Sequence, residues 1–587
     1  MRRSAFGFTG VVLLAVVMAS VALRHFAVAK SPRQAMPRPS NAELATFPST
    51  WTYQPGAKAP TAPNGMVVSN CALATEAGVE VLKAGGNAVD AAVAVGFALA
   101  VAYPEAGNIG GGGYAVVRIG AKAAALDFRE TAPAAASRNM FIGADGKPTE
   151  ASLVGHRASG VPGSAAGLLA LLEQHGTLPR ARVMAPAIRL ARDGFTVDAI
   201  FNASVGQNAE LIAKFAGASL FLPGGHAPAP GTRFVQADLA RTLQAIADKG
   251  ADGFYRGPVA EAVATEMGRG HGSITAADLA AYRAAWRTPL VGSYRGHQLI
   301  AMPPSSSGGI TVIETLNILE AWEEVAPWNS ARSLHRLAAA LQRAFVDRND
   351  TLGDPAFVKM PLETLMSKAY ARRLQAGIPS DTATPTASLH PVARGGQNTT
   401  NYAIVDRAGN AVVITTTINS LYGSGVWVPG AGFFLNNQMD DFAAQPGTPN
   451  QFGLVQGEAN GVAPGKRMLS AMAPTIVLDD DGKVLMLVGG RGGPRIISAV
   501  VQAILNVVDY RMALADAVGA PRIHEQALPD VLEYEKGGVP AGVVAALEAM
   551  GYKTQPGASG SLTAIERTPS GWEGLFDPRK HGLAAGY

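Results

Sequence analysis

The chain has 587 residues, of which 48% are hydrophobic, 16% charged and 7% aromatic, so it carries enough apolar material for a large folded core. Its single cysteine, Cys71, excludes intramolecular disulfides, four-cysteine zinc sites and iron–sulfur clusters. The 49 Lys and Arg against 45 Asp and Glu leave a net charge of only +4, spread along the chain, so no nucleic-acid partner is expected.

The amino terminus has the pattern of an export signal. Two arginines precede an apolar run over residues 11–23, which has the length of a secretory signal core and is shorter than an ordinary membrane span. Residues 1–29 are therefore predicted to be a signal peptide or, if they stay uncleaved, an N-terminal anchor. Association with a membrane is expected only if this segment is uncleaved. Residues 30–64 are rich in Pro, Ala, Ser and Thr without an apolar period, which predicts an extended lead-in. We expect an exported protein, periplasmic or extracellular.

The first folded segment, from Val67 to Val101, reads as a strand, a helix, a break at Gly85-Gly86, and a second helix rich in Ala and Val. A glycine run over residues 107–113 follows, where the backbone must turn or approach a neighbour closely. This run lacks the Lys-Ser/Thr of a P-loop and the spacing of G-x-G-x-x-G. The glycines therefore do not indicate a phosphate-binding loop.

Helical patterns dominate from residue 164 to residue 357. The clearest covers residues 333–346, where apolar side chains recur at helical spacing at Leu334, Leu337, Leu341 and Phe345. Residues 379–398 differ, because they are poor in large apolar groups and contain three prolines and a Gly-Gly pair. They are predicted to form a flexible linker.

A β pattern begins directly after this linker, at Thr399. Two hairpins are predicted, with strand, turn and strand at residues 402–406, 407–410 and 411–419, and at 475–478, 479–482 and 483–488. The second hairpin runs into a Gly-Gly-Arg-Gly-Gly-Pro stretch, which opens a helix predicted over residues 495–508. Antiparallel hairpins flanked by helices predict an α+β layered sandwich.

The familiar hydrolase signatures are absent from the sequence. It contains no G-x-S-x-G, no H-E-x-x-H and no C-x-x-C, and its histidines are not spaced for a local metal site, so no metal ligands are predicted. Thr399 lies between the linker and the first strand, and it can act as a nucleophile only if the Asn398–Thr399 bond is first cut. The cut frees the α-amino group of Thr399, which has a reference pKa near 8 and can accept the proton of the hydroxyl. The hydroxyl of Thr399 can itself attack the preceding carbonyl. Judged from the neighbouring residues alone, a Thr-Thr pair is more often the ordinary start of a strand than a nucleophile.

Several longer motifs stand along the chain. They are Gly85–Ala92, Gly110–Gly113, Asp127–Pro133, Met302–Gly309, Asn398–Tyr402, Leu435–Phe442, Gly489–Arg495 and the terminal Gly586-Tyr587. In this order, and over roughly residues 60–587, they resemble the γ-glutamyltranspeptidase family of N-terminal-nucleophile hydrolases. A resemblance in several independent motifs favours the nucleophile interpretation of Thr399 over the ordinary strand.

The resemblance implies a four-layer αββα sandwich and a precursor that cuts itself before Thr399. The large subunit then carries residues 65–398 and the small subunit residues 399–587, and the two remain associated as a heterodimer. The resemblance further implies that Thr399 attacks the γ-carbonyl of glutathione or a related γ-glutamyl amide. The acyl group then passes to water, an amino acid or a dipeptide, and no cofactor is involved.

The family's motifs also imply roles around the nucleophile. Thr417 matches the threonine whose hydroxyl positions the nucleophile, and Gly492 and Gly493 match the pair whose N–H groups form the oxyanion hole. The same glycines are equally suited to a turn between strand and helix. Arg129 matches the arginine that binds the α-carboxylate of the substrate, a task that suits a guanidinium fork.

The remaining substrate contacts follow in the same way. Asp441 matches the carboxylate that binds the α-ammonium, assisted by Asn419 and Gln438. Ser470 matches one of two serines that hydrogen-bond the α-carboxylate, but Ala471 stands where the second is usual. A lost hydrogen bond to a charged group is worth roughly 1.5–3 kcal/mol.

Three further positions depart from the family's pattern. Arg491 stands where proline is frequent, Asn401 where histidine is common, and Phe452 of the lid segment 442–457 where a phenol is frequent. Arg491 either supplies compensating positive charge near the substrate or points outward.

Two alternatives to a γ-glutamyl enzyme stay open. One is a related amidase for glutaryl-like acyl groups, such as the side chain of a β-lactam, and the other is an unprocessed, non-enzymatic binding protein of the exported compartment. Asp441 favours the glutamyl donor, because a glutaryl group has no ammonium to pair with it. Ala471 keeps the amidase open.

Overall fold

The computed structural model describes residues 46–389, 399–448, 450–451 and 456–587, all of which belong to one unit, Ala45–Tyr587. The predicted signal or anchor, the first part of the lead-in, the end of the linker with Asn398, and Phe452 of the lid lie outside these residues. Among the described helices, none has both the length and the apolar composition needed to cross a membrane.

Two seven-stranded sheets form the centre of the fold, and neighbouring strands within each are antiparallel. With strands numbered along the chain, sheet I has the spatial order β1 (Thr61–Ala62), β20 (Gly571–Phe576), β19 (Ser561–Thr568), β15 (Val484–Arg491), β14 (Thr475–Leu478), β9 (His297–Ala301) and β8 (Leu290–Tyr294). Sheet II has the order β21 (Leu583–Gly586), β2 (Met66–Ser69), β10 (Thr400–Val405), β11 (Ala411–Thr417), β3 (Gly112–Ile119), β4 (Lys122–Asp127) and β7 (Ala285–Arg287).

Shorter strands and the helices surround the sheets. The small strand groups are β5 (Phe195–Thr196) with β6 (Arg233–Phe234), β12 (Trp427–Val428) with β13 (Phe433–Phe434), and β16 (Ile523–His524), β17 (Leu532–Tyr534) and β18 (Thr554–Pro556). The described helices before the β10 strand are α1 (Ala72–Lys83), α2 (Ala88–Ala102), α3 (Ser164–His175), α4 (Arg180–Asp193), α5 (Ala199–Gln207), α6 (Ala209–Ala213), α7 (Ala218–Phe221), α8 (Ala237–Lys249), α9 (Asp252–Tyr255), α10 (Gly257–Arg269), α11 (Ala276–Ala281), α12 (Gly308–Glu320), α13 (Ala331–Thr351), α14 (Leu362–Leu365) and α15 (Lys368–Ala376). Those after it are α16 (Arg495–Val508), α17 (Leu514–Gly519) and α18 (Ala541–Ala549).

The alternation of side chains along the strands builds four layers. On β10, Tyr402 and Ile404 belong to the core under α1 and α2, whereas Ala403 and Val405 belong to the core between the two sheets. The second core continues across sheet I to α12, α13 and α16. The α+β fold is therefore confirmed as an αββα sandwich, and the solvent-protected space between its sheets receives every second residue of β10.

The predicted elements around these sheets are confirmed with small shifts at their ends. The second, Ala- and Val-rich helix is α2, which is buried along its whole length and begins with a capping box between Asn87 and Asp90. Both hairpins form, as β10–β11 and β14–β15, and the helix after the second covers Arg495–Val508 as predicted.

The lead-in differs from its prediction, because its second half is packed into the fold. Phe47 and Trp51 are buried against Met512 and Ala517, and β1 pairs with β20. Two aromatic side chains and a two-residue strand were too sparse to give an apolar period in the sequence.

Each sheet contains strands from both sides of Thr399. In sheet II, β10 lies between β2 and β11, and β11 in turn pairs with β3. Sheet I likewise joins β9 to β14. A cut before Thr399 would leave these hydrogen-bonded ladders intact, so the two pieces have a structural reason to stay together.

Candidate active site

Thr399 lies at the beginning of the β10–β11 hairpin of sheet II. It directly precedes β10, and the register that pairs Thr400 with Thr416 brings Thr399 opposite Thr417 at the end of β11. Both threonines are buried, with Thr399 only 5% exposed. The hydroxyl oxygen of Thr417 also accepts a hydrogen bond from the backbone N–H of Asn419 at 2.8 Å, which fixes its orientation.

The predicted oxyanion glycines form the turn between β15 and α16. Gly492 has φ +130° and Gly493 has φ +59°, values in which a side chain is strained. A Cβ on Gly492 would also lie 2.8 Å from the Cα of Gly560. The turn therefore requires glycine for its own geometry, whatever its N–H groups do for a substrate.

One cavity, with an empty volume of about 360 Å³, brings the predicted site residues together. Its wall is formed by Arg129, Arg348, Thr399, Thr417, Asn419, Gln438, Asp441, Gln456, Leu469, Ser470, Ala471, Met472, Gly493, Pro494 and Ile496. Of the residues named from the sequence, Gly492 stands next to this wall and Asn398 lies outside the described residues. Residues scattered over more than 360 positions of sequence thus converge on one cavity.

A buried ion pair forms the charged end of this cavity. Nη2 of Arg129 donates a hydrogen bond to Oδ2 of Asp441, and Nε2 of Gln438 donates to the same oxygen at 2.8 Å. Burial works against the charge of Arg129, but the Asp441 carboxylate and other neighbouring groups raise the pKa of Arg129 above its ordinary value. The cavity therefore has a permanent positive charge and a carboxylate side by side in its wall.

The loop at Ser470 closes the cavity beside this pair. The carbonyl of Ser470 accepts hydrogen bonds from the backbone N–H of Ser307, at 2.7 Å, and from its hydroxyl, at 2.5 Å. The hydroxyl oxygen of Ser470 accepts from the N–H of Met472 at 3.2 Å, which leaves the hydroxyl proton for another acceptor. Nε of Arg129 donates to the carbonyl of Met468 at 3.4 Å, so the ion pair also holds this loop.

The comparisons with known proteins agree with this site. A sequence model of the γ-glutamyltranspeptidase family matches residues 74–587. The chain belongs to this family. It is 46% identical over 537 residues to the glutathione hydrolase proenzyme of Escherichia coli (strain K12), a match that covers 90% of this chain and 92% of that protein. It is also 44% identical over 548 residues to the glutathione hydrolase proenzyme of Pseudomonas sp. (strain A14), covering 90% and 95%.

The solved structures support the same fold. The crystal structure of a cephalosporin acylase from Bacillus halodurans superposes with a TM-score of 0.80 at 27% identity, covering 92% of this chain and 99% of that chain. The chain is thus an acyl-transferring and hydrolysing enzyme of the γ-glutamyltranspeptidase family, with the N-terminal-nucleophile hydrolase fold that the sequence motifs implied.

The departures from the family's pattern have clear positions. Arg491 takes neither of its two expected orientations, because it is mostly buried, donates to the hydroxyl of Tyr103 and lies 3.6 Å from the carboxylate of Glu105, away from the cavity wall. Asn401 donates to Thr563 and accepts from Thr415 at 2.7 Å, so it joins the two sheets. The charge of Arg491 is therefore already neutralised within the protein.

Sequence reasoning missed Arg348, which lies in the cavity wall with 1% of its surface exposed. A signal was present, because Leu334, Leu337, Leu341 and Phe345 mark the apolar face of α13 and Arg348 continues their spacing. A cation on the buried face of a helix is a candidate functional residue. The neighbouring carboxylates Asp440 and Asp441 have different surroundings, and only Asp441 lies in the cavity wall. Asp440 instead accepts hydrogen bonds from the hydroxyl of Ser152 and from the backbone N–H of Gln451.

Glu130 adds a titratable group behind the ion pair. It is fully buried, its Oε2 lies 3.6 Å from Nη1 of Arg129, and neither carboxylate oxygen has a hydrogen-bond partner among the described residues. Burial raises the pKa of Glu130 to about 8, although Arg129 opposes the shift. The carboxyl is therefore neutral in the folded protein at pH 7, whereas it is ionised in the unfolded chain.

We predict that this proton makes the enzyme less stable as the pH rises. Between the ordinary pKa of glutamate and about 8, the folded state binds a proton that the unfolded state has lost, so stability falls across this range and levels off above it. Glu130→Gln removes the titration and keeps the shape. Thermal unfolding midpoints at a series of pH values should show the variant gaining on the parent from pH 5 to pH 9, and parallel profiles would contradict the assignment.

Proposed function

We propose that this chain is an autoprocessing γ-glutamyl hydrolase and transferase for which glutathione is a donor. One observation carries the proposal: the cavity that contains Thr399 and Gly493 also contains the buried Arg129–Asp441 pair. A nucleophile beside one positive and one negative group fits an acyl donor that ends in an amino acid. The relatives named glutathione hydrolase proenzymes support both the donor and the processing.

The first step is the cut before Thr399. Its Oγ attacks the carbonyl of Asn398, the C–N bond breaks, and an ester forms that water hydrolyses. This leaves residues 65–398 and 399–587 as large and small subunits and exposes the α-amino group of Thr399. The ladders that join β10 to β2 and β9 to β14 support a stable heterodimer.

The acyl transfer uses the same atoms again. The α-amino group accepts the hydroxyl proton as Oγ of Thr399 attacks the γ-carbonyl, and Thr417 orients the attack. The N–H groups of Gly492 and Gly493 stabilise the tetrahedral oxyanion. The C–N bond breaks, the leaving amine takes the proton, and water or the amine of an amino acid or dipeptide then attacks the ester.

The head group of the donor is recognised at the charged end of the cavity. Arg129 and the hydroxyl of Ser470 bind the α-carboxylate, and Asp441, Gln438 and Asn419 bind the α-ammonium. Asn419 is suited to this role because its Nδ2 donates to the carbonyl of Asn437 at 3.0 Å, which holds the side chain at the wall. The predicted amino-terminal signal is the ground for proposing action outside the cytoplasm, in the periplasm or the medium.

A glutaryl-specific acylase is the second candidate. The structural similarity to a cephalosporin acylase and the missing hydroxyl at Ala471 favour it. Asp441 argues against it, because a glutaryl group would leave this buried carboxylate without a ligand cation. A γ-glutamyl donor therefore has a binding partner for more of the residues in the cavity wall than a glutaryl donor has.

We expect Thr399→Ala to block both processing and turnover. The purified parent should yield two chains, the smaller beginning at Thr399, and should release glutamate from glutathione. The variant should stay a single chain and release none. Thr400→Ala is the matched control, because the neighbouring hydroxyl bonds to Asn70 on the other face of β10. Mass spectrometry and N-terminal sequencing make the measurement, and a processed Thr399→Ala protein would refute the proposal.

A second prediction separates the two donors. Asp441→Ala should reduce kcat/KM for a γ-glutamyl anilide far more than for the glutaryl anilide, because only the first carries an ammonium. A lost charge-assisted hydrogen bond predicts a differential loss of roughly 10- to 100-fold. Asp441→Asn keeps the shape of the side chain and tests the charge alone. Equal losses on both anilides would remove the assignment of Asp441 to the ammonium.

A further inference from the structure

The cavity wall contains a second arginine whose hydrogen bonds are only partly used. Nε of Arg348 donates to the hydroxyl oxygen of Ser307 at 3.0 Å, and Nη1 donates to the side chain of Asn349 at 2.9 Å. Nη2 has no hydrogen-bond partner within the part of the chain that the structure describes. A fully buried guanidinium nitrogen without a partner is costly, so it marks a place where a ligand completes the site.

Three polar side-chain atoms of this wall make no hydrogen bond within the described residues, although Nη1 of Arg129 lies 3.6 Å from Oε2 of Glu130. The three atoms are Nη1 of Arg129, Nη2 of Arg348 and Oε1 of Gln438. Two of them are cationic donors and the third is an acceptor. A carboxylate accepts from the first kind and an ammonium donates to the second, so the set matches both halves of an amino-acid head group.

Arg348 also explains how the site tolerates Ala471. Arg348 is tied through Ser307 to the loop that carries Ser470 and Ala471, and both loop residues share the cavity wall with it. Arg491 does not fill the gap, since Glu105 and Tyr103 engage it elsewhere. A guanidinium at this end of the wall replaces the donor that the missing hydroxyl would have supplied.

We propose that Arg348 is a second substrate-binding arginine, which donates from Nη2 to the α-carboxylate of the acyl donor opposite Arg129. This inference rests on the proposed function, because it needs a donor with a carboxylate at that end. Together, Arg129 and Arg348 outnumber the single carboxylate Asp441 in the wall. The cavity is therefore biased towards donors that carry a carboxylate, whether or not they also carry an ammonium.

The test uses three anilides that differ only in their head groups. The γ-glutamyl anilide carries both charged groups, the glutaryl anilide only the carboxylate, and the 4-aminobutyryl anilide only the ammonium. Arg348→Gln should lower kcat/KM by about 10- to 100-fold for the first two, mainly through KM, and by less than about threefold for the third. Asp441→Asn should give the complementary pattern, with a smaller loss on the glutaryl anilide than on the two anilides that carry an ammonium.

Arg343→Gln is the matched control for damage to α13. Arg343 lies on the same helix, is similarly buried and donates to the carbonyls of Ala339 and Gly377, but it is absent from the cavity wall. Its substitution should leave the ranking of the three anilides unchanged. If Arg348→Gln does not yield a folded, processed protein, Arg348→Lys keeps the charge and should show a smaller loss with the same dependence on the carboxylate.

The outcomes separate this inference from the proposed function. If the parent hydrolyses the γ-glutamyl anilide but Arg348 variants lose activity equally on all three substrates, Arg348 only braces the Ser307–Ser470 contact and the inference is wrong. No loss on any substrate would also overturn it. If the parent hydrolyses only the glutaryl anilide, the proposed function fails, while a large KM effect of Arg348→Gln on that substrate still supports the carboxylate contact.

Discussion

The buried pairing of Arg129 with Asp441 is the constraint on which the site depends. The two residues are 312 positions apart, and each comes from a different side of the proposed cut. Removing one partner from such a pair is costly, typically about 3–5 kcal/mol, because the remaining charge stays buried. The pair therefore holds the segment after β4, the turn at Gln438–Asp441 and the loop at Met468 in one geometry, and that geometry forms the charged end of the cavity.

The nucleophile depends on a different part of the scaffold. Thr399 and Thr417 meet because β10 and β11 form one antiparallel hairpin, and hairpin register leaves little freedom in which residues face each other. Sheet I supplies the glycine turn after β15, and the packing of the two sheets brings that turn to the end of the hairpin. The proposed catalytic residues therefore lie where the two sheets meet, whereas the proposed substrate-binding residues lie on the segments around them.

The polar side chains around the cavity differ in whether the protein itself already occupies their hydrogen-bonding groups. Arg491 is engaged by Glu105 and Tyr103, and Asn401 is engaged between the sheets, so neither is available to a substrate. Nη2 of Arg348 has no hydrogen-bond partner among the described residues, and burial raises the pKa of Glu130, behind Arg129, to about 8. Position 471, where alanine replaces the serine that is usual in the family, therefore lies in a wall that also contains the proposed carboxylate donor Arg348.

The sequence by itself determined the α+β class, the two hairpins and the helix after the glycine turn, and the family resemblance of its ordered motifs implied part of the cavity wall. The fold class, the hairpins and the helix depend on short-range periodicity and turn chemistry, which a sequence carries directly. Only the tertiary structure decided that Phe47 and Trp51 pack into the fold, that Arg491 is neutralised, and that Arg348 lines the same cavity as Arg129. Such outcomes depend on which distant side chains share one buried volume, and the cost of burying a charge is set by those neighbours rather than by adjacent residues.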